Sequence, residues 1–259
     1  MVGQMLITCK NLSLGYEGKA IVRDLSFSVE PGDYLWLVGE NGSGKTTLIL
    51  GILRLLNPLE GSIAFCDELA KGRIGYLSQQ SVMKKDFPAG VHEVVLSGNL
   101  SNMGLRPFYT AKEKARADEA MERLGVKDLR KKCYRELSGG QQRRVLLARA
   151  FCAAQVDAAG NFGSNGNQAL RRLLVLDEPA AGLDPLITVE VYEILKTLNQ
   201  ETGISIIMVS HDTRGAEQYA KHILHMENGQ GFFFPIADYL GSDMGRKFFG
   251  HDKEKKDVN

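Results

Sequence analysis

Tyr34-Leu35-Trp36-Leu37-Val38-Gly39-Glu40-Asn41-Gly42-Ser43-Gly44-Lys45-Thr46-Thr47 is the stretch that decides the fold. Tyr34 to Val38 is continuously apolar, as in a strand buried on both faces. Gly39 to Thr46 then follows Gly-x-x-x-x-Gly-Lys-Thr, the phosphate-loop pattern. The glycines let backbone N–H groups wrap around phosphate oxygens, and the helix that begins at Lys45 adds the positive end of its dipole. Lys45 is placed to neutralise β- and γ-phosphates, Thr46 to ligate Mg²⁺, and Thr47 lies in the same turn. Gly39, Asn41, Gly42, Ser43, Gly44, Lys45, Thr46 and Thr47 are therefore candidate nucleotide-binding residues.

Working outward, residues 5–30 alternate apolar and polar positions, which predicts strands with one exposed face. Pro31-Gly32-Asp33 is a turn signal. A helix is expected over Lys45–Leu55, ended by Asn57-Pro58, with strands near Ser62–Phe65 and Ile74–Leu77. From about residue 88 the pattern becomes helical. Ala117, Met121 and Leu124 share one helical face, and Gly125 is placed to end that helix. A second helix is expected over Gly140–Ala154. Strand patterns return at Leu173–Leu176 and Ile204–Val209, with a helix around Ile187–Leu198 between them. Residues 156–168, rich in Gly and Asn with little to bury, read as a surface loop. The charged tail from Gly250 to Asn259 is expected to fray.

Composition narrows the class. The 259 residues are 44% hydrophobic, enough for a substantial core, and the formal charge is only +1 from 32 basic and 31 acidic side chains. That balance gives no reason to expect a nucleic-acid partner. Cys9, Cys66, Cys133 and Cys152 are scattered without paired spacing, so reduced thiols fit better than disulfides or a zinc site. Met1-Val2-Gly3-Gln4-Met5 does not read as a signal peptide, and no apolar run approaches the roughly 20 residues that span a bilayer.

A second acidic element follows an apolar strand. Leu173-Leu174-Val175-Leu176 ends in Asp177-Glu178, which puts adjacent carboxylates at a strand edge. Such a pair can be a solvated turn. Beside a phosphate loop it reads as Walker B, with Asp177 holding Mg²⁺, usually through water, and Glu178 polarising the attacking water.

Between these elements lies Leu137-Ser138-Gly139-Gly140-Gln141. With this pentapeptide in place, the chain resembles the nucleotide-binding subunit of ABC transporters over about residues 5–235. The resemblance implies an α/β fold: a P-loop NTPase (RecA-like) core, an ABC antiparallel β subdomain and an inserted α-helical subdomain. It divides the chain into a 5–235 domain, with core 5–87 and 170–235 and helical part 88–155, and a 236–259 extension. It implies that Ser138, Gly139, Gly140 and Gln141 grip the phosphates of ATP held mainly by a second copy of the chain, in an ATP-sandwich dimer. Gln79 matches the glutamine loop, approaching Mg²⁺ and the water. Asp184, in Ala180-Ala181-Gly182-Leu183-Asp184, matches the D-loop acid. His211 matches the switch histidine at the γ-phosphate, and Tyr16 the aromatic that stacks on adenine. ATP and Mg²⁺ are the implied cofactors.

Single copies of each motif resemble the separate ATPase subunit of bacterial importers. Such a subunit sits on the cytoplasmic face of the membrane against an integral permease, with a substrate-binding protein acting indirectly. Asp86 to Gly98, His222 to Met226 and Phe248-Phe249-Gly250 resemble ATPases of the zinc, manganese and iron uptake group. His222 and His225 read as strand residues rather than metal ligands. Another solute, or an ABC ATPase without a permease, remains an open alternative.

Overall fold

The computed structural model describes residues 5–70, 74–79, 88–103, 105–154 and 172–254. The expected surface loop at 156–168 and Asp86-Phe87 lie outside the described residues. The elements in chain order are β1 (Ile7–Tyr16), β2 (Lys19–Val29), β3 (Tyr34–Gly39), α1 (Lys45–Ile52), β4 (Glu60–Phe65), α2 (Asp67–Ala70), β5 (Ile74–Leu77) and α3 (Val91–Leu96). They continue with α4 (Leu100–Met103), α5 (Ala111–Arg123), α6 (Gly139–Ala153), β6 (Leu173–Asp177), α7 (Pro185–Thr202), β7 (Ser205–Val209) and α8 (Thr213–Tyr219). β8 (His222–Glu227), β9 (Gln230–Pro235), α9 (Ile236–Gly241) and α10 (Asp243–Glu254) complete the chain.

The residues group into two compact units, and the chain passes from the first to the second inside β7, between Ile206 and Ile207. The second unit, built from 7–29, 33–64 and 207 onward, carries the alternating segment as an antiparallel hairpin. Tyr16 pairs with Lys19 across Glu17 and Gly18, whose φ values of 51° and 75° give the left-handed pair that tight hairpins need. β4 lies on the far side of β1 from β2. β3 is buried throughout and runs parallel to β8, which pairs antiparallel with β9. Its apolar run thus takes the interior position that its sequence requires.

The first unit spans 65–206 with short pieces from 1–6 and 30–32. Here β5 and β6 run parallel, from Ile74↔Leu173 to Leu77↔Leu176. α6 packs on β5, α3 and α5. The approach to β5 is close: a Cβ on Gly75 would lie 2.1 Å from the Ala150 carbonyl oxygen, so only glycine fits. α5 starts on a capping box, Thr110 with Glu113, and buries Ala117, Ala120 and Met121. Gly125 follows at φ 63° and ends it, as the sequence pattern predicts.

Several boundaries differ from expectation. α1 stops at Ile52 rather than Leu55, because Arg54 turns left-handed (φ 61°) and the N–H groups of Leu55 and Leu56 both fold back to the Leu50 carbonyl. α7 is longer than expected: Asp184 caps it, Pro185 occupies its first turn, and Gly203 (φ 64°) stops it. The tail expected to fray from Gly250 instead continues α10 to Glu254; residues 255–259 lie outside the described set. α10 is held by aromatic packing. Phe248 and Phe249 meet the buried Tyr239 ring edge-on, at centroid distances of 6.4 and 6.0 Å.

Candidate functional site

In the second unit, β3 delivers the glycine loop. Gly39 faces Met226 across the parallel ladder at φ 138°, and a Cβ there would sit 2.1 Å from the Met226 carbonyl oxygen. The loop can therefore leave the sheet only through glycine. Gly44 precedes α1 and supplies no side-chain cap, so the first N–H groups of the helix have no side-chain acceptor at that position. Lys45 is buried, and its Nζ donates to the carbonyl oxygens of Gly39 (2.7 Å) and Glu40 (2.8 Å). This ammonium closes the loop on itself. Ser43 Oγ is buried and has no hydrogen-bond partner among the described residues. Thr47 is buried and Thr46 exposed.

The same unit holds Tyr16 at the end of β1, 46% exposed on the hairpin tip. His211 follows β7 and is exposed, and Asp212 behind it caps α8 by accepting from Gly215 N at 3.1 Å. A cavity of about 610 Å³ opens beside the glycine loop, lined on its other side by His225, Asp243, Lys247 and Phe248. Sequence reasoning did not anticipate that α10 would reach the loop.

His222 and His225 lie on β8, the strand placement expected for them. His222 Nδ1 is 2.8 Å from Asp33 Oδ1, and His225 Nδ1 is 2.6 Å from the Tyr239 hydroxyl. Burial pulls the His225 pKa below the usual range, so the neutral ring is favoured. Cys9, Cys66 and Cys152 are buried thiols outside any disulfide, and burial pushes Cys9 and Cys152 up to about 12, where thiolate chemistry is suppressed.

The first unit carries the acidic pair. β6 is buried throughout and ends in Asp177, itself 7% exposed. Glu178 is half-buried and has φ 50°, the left-handed region that a residue with a Cβ rarely adopts. Gln79 is exposed just beyond β5.

Ser138 caps α6. Its Oγ accepts from Gln141 N (3.4 Å), while its own N–H donates to Gln141 Oε1 (3.1 Å). The helix therefore begins at Gly139, one residue earlier than expected. Both Ser138 and Gly139 are exposed. A Cβ on Gly140 would lie 3.3 Å from Ile187 Cδ1, whereas a Cβ on Gly139 would meet nothing within 4 Å. Asp184 Oδ1 accepts from Leu186 N and Ile187 N at 3.1 Å each, so this acid caps α7.

One residue of this region escaped sequence reasoning. Arg143, 8% exposed on α6, donates from Nε to Pro179 O (2.8 Å), from Nη1 to Ser78 O (3.2 Å), and from Nη2 to Asp177 O (3.0 Å) and to Glu178 O. The signal was available: Arg143 stands on the helical stripe of Leu147, Ala150 and Ala154, all buried. A charge on an apolar stripe requires a partner.

Comparison with known proteins identifies the class. The pattern of the ABC transporter family matches residues 22–156, more than half of the chain. A zinc uptake system ATP-binding protein, ZurA of Listeria innocua, is 33% identical over 225 residues, covering 85% of this chain and 81% of ZurA. A manganese transport system ATP-binding protein, MntB of Bacillus subtilis, is 33% identical over 245 residues, 93% of this chain and 90% of MntB. Among solved structures, CbiO1 of Clostridium perfringens, part of the ABC transporter complex CbiONQ, superposes with a TM-score of 0.74 at 24% identity, covering 94% of this chain and 93% of CbiO1. The chain belongs to the ABC transporter family. Within that family it is an ATP-binding subunit, an ATPase coupled to transport, on an α/β P-loop fold. Subunits of this kind work with a membrane permease, and no helix among the described residues is long and apolar enough to cross a membrane.

Proposed function

We propose that this ATPase powers import of a metal ion of the zinc, manganese or iron group. The observation that carries the reading is the level and extent of identity to ZurA and MntB, at 33% over 85% and 93% of the chain. The permease would lie against the helical part of residues 88–155. The 5–235 segment is the working ATPase domain, and 236–259 its extension. A substrate-binding protein acts through the permease, and the subunit sits at the cytoplasmic membrane face.

The glycine loop suits a polyphosphate. Ser43 Oγ is buried with no hydrogen-bond partner among the described residues, α1 starts without a side-chain cap, and Lys45 brings its charge to the loop carbonyls. Lys45 and the loop N–H groups would bind the phosphates, with Tyr16 stacking on adenine and His211 reading the γ-phosphate. Thr46, Gln79 and Asp177 offer hard oxygen donors, the kind Mg²⁺ prefers. Bound Mg²⁺ neutralises charge on the phosphate oxygens. Glu178 would orient the attacking water, which displaces ADP from the γ-phosphoryl group. Ser138, Gly139, Gly140 and Gln141, with Asp184, which caps the helix whose Ile187 lies against Gly140, would serve the nucleotide of a second copy in a closed dimer. The exposure of Ser138 and Gly139, and the empty space at the Gly139 Cβ position, support that reading.

Cell metal content measured after gene deletion and complementation tests the proposal. Loss of one of the three metals, restored by the wild-type gene and not by Lys45→Ala, is the expected result. Unchanged zinc, manganese and iron with reduced uptake of an organic solute would overturn the metal reading.

A further inference from the structure

We infer that Arg143 is a positioning residue for hydrolysis, acting through the backbone that carries Glu178. This rests on the reading of Glu178 as the group that orients water. The guanidinium collects the carbonyls of Asp177, Glu178 and Pro179 from the end of β6 and that of Ser78 from the end of β5. Asp177, Glu178 and Gln79 thus flank or coincide with the residues it holds. Glu178 needs such support, because its φ of 50° lies in the left-handed region, which is unfavourable for a residue with a Cβ. Arg143 also lies one turn beyond Gly140 on the helix that Ser138 caps. A displacement of that cap is therefore carried by a rigid helix to the carbonyls that set the Glu178 side-chain direction.

The shape of the side chain matters. Arginine presents planar donors at Nε and both terminal nitrogens, and here all three point to carbonyl oxygens. Burial pulls the Arg143 pKa below its ordinary value, and the nearby Asp177 carboxylate offsets only part of that. Lysine offers one nitrogen and cannot reach both strand ends at once.

Steady-state MgATP hydrolysis by the full chain tests the inference, with thermal unfolding measured on the same samples. Arg143→Met is expected to lower kcat about 100-fold, the scale of a small misplacement of a catalytic group, with little change in the KM for ATP. In a Glu178→Gln background, Arg143→Met is expected to add no further loss, because the group it positions is already gone. Arg143→Lys should fold and still lose most of its turnover. It also covers the case in which Arg143→Met fails to fold.

A merely structural role would reduce the folded fraction and leave turnover per bound nucleotide as in wild type; that result overturns the inference. So does a multiplicative loss in the double variant, or wild-type turnover in Arg143→Lys. Wild-type turnover in Glu178→Gln alone would instead remove the role given to Glu178, and the inference with it.

Discussion

Ser138 and Gln141 bond each other twice at the start of α6, hydroxyl to backbone N–H in one direction and backbone N–H to side-chain amide in the other. The pentapeptide is thus a helix cap before it is anything else. Two consequences separate. Ser138→Ala should destabilise the fold by about 1 kcal/mol through loss of the cap, and Ser138→Thr should restore most of it. Ser138→Arg, by contrast, should leave nucleotide binding to the single chain intact and suppress turnover by obstructing the second copy. Thermal unfolding and ATPase assays on the three variants read both effects. Wild-type turnover in Ser138→Arg would remove the role in trans.

The parts legible in the sequence are those in which local chemistry and tertiary packing agree. Tyr34–Val38 is apolar without interruption and becomes a buried strand; the glycines after it take the backbone shapes their lack of a side chain allows. The double glycine puts the start of α6 within one residue of its place, and the Ser138–Gln141 capping box supplies that residue. Illegible features depend on partners distant in sequence. Nothing local in Gly250–Glu254 shows that α10 continues, because Tyr239, Phe248 and Phe249 anchor that helix through ring packing. The stripe of Leu147, Ala150 and Ala154 shows that Arg143 needs a partner, but not that Ser78 and Pro179 are the residues β5 and β6 bring to it.

Glu178 pairs a proposed catalytic role with an unfavourable backbone. Replacing it by glycine should relieve the left-handed conformation, so Glu178→Gly is expected to unfold at a higher temperature than Glu178→Ala, a difference of roughly 1 kcal/mol. Both should lose nearly all turnover. Glu178→Gln, which keeps the shape, should bind MgATP and accumulate a dimer by size-exclusion chromatography. A Glu178→Gly protein less stable than Glu178→Ala would contradict the backbone assignment.

Glu113 sets part of the acid limit. The Arg106 side-chain hydrogen bond, at 2.9 Å, and the bonds from Thr110 pull its carboxyl down to about 2, against burial, which pushes it up. Its folded pKa lies below its unfolded value of 4.5, so between these values the unfolded chain binds more protons. The stabilisation is complete above pH 4.5 and is lost as pH falls toward 2. Glu113→Gln should therefore lower the melting temperature at pH 6, and the gap to wild type should narrow as pH is lowered. A gap that stays constant down to the lowest accessible pH would show that the ionised carboxylate is not what stabilises α5.

Gly139 and Gly140 are adjacent in sequence and differ in what they touch. A methyl on Gly140 would press to 3.3 Å from Ile187 Cδ1, tight enough that α7 must yield. A methyl on Gly139 would meet nothing of its own chain within 4 Å, and alanine favours a helix over glycine by about 0.5–1 kcal/mol. Gly139→Ala should therefore raise the melting temperature slightly, while Gly140→Ala should lower it. If both glycines serve only α6, turnover should follow stability, and Gly139→Ala should be fully active. If a phosphate from a second copy must approach the backbone here, Gly139→Ala should be the more stable protein and yet the poorer ATPase. Measuring melting temperature and kcat on the same preparations decides between these outcomes. A Gly139→Ala protein with wild-type kcat would show that no ligand comes close at this position.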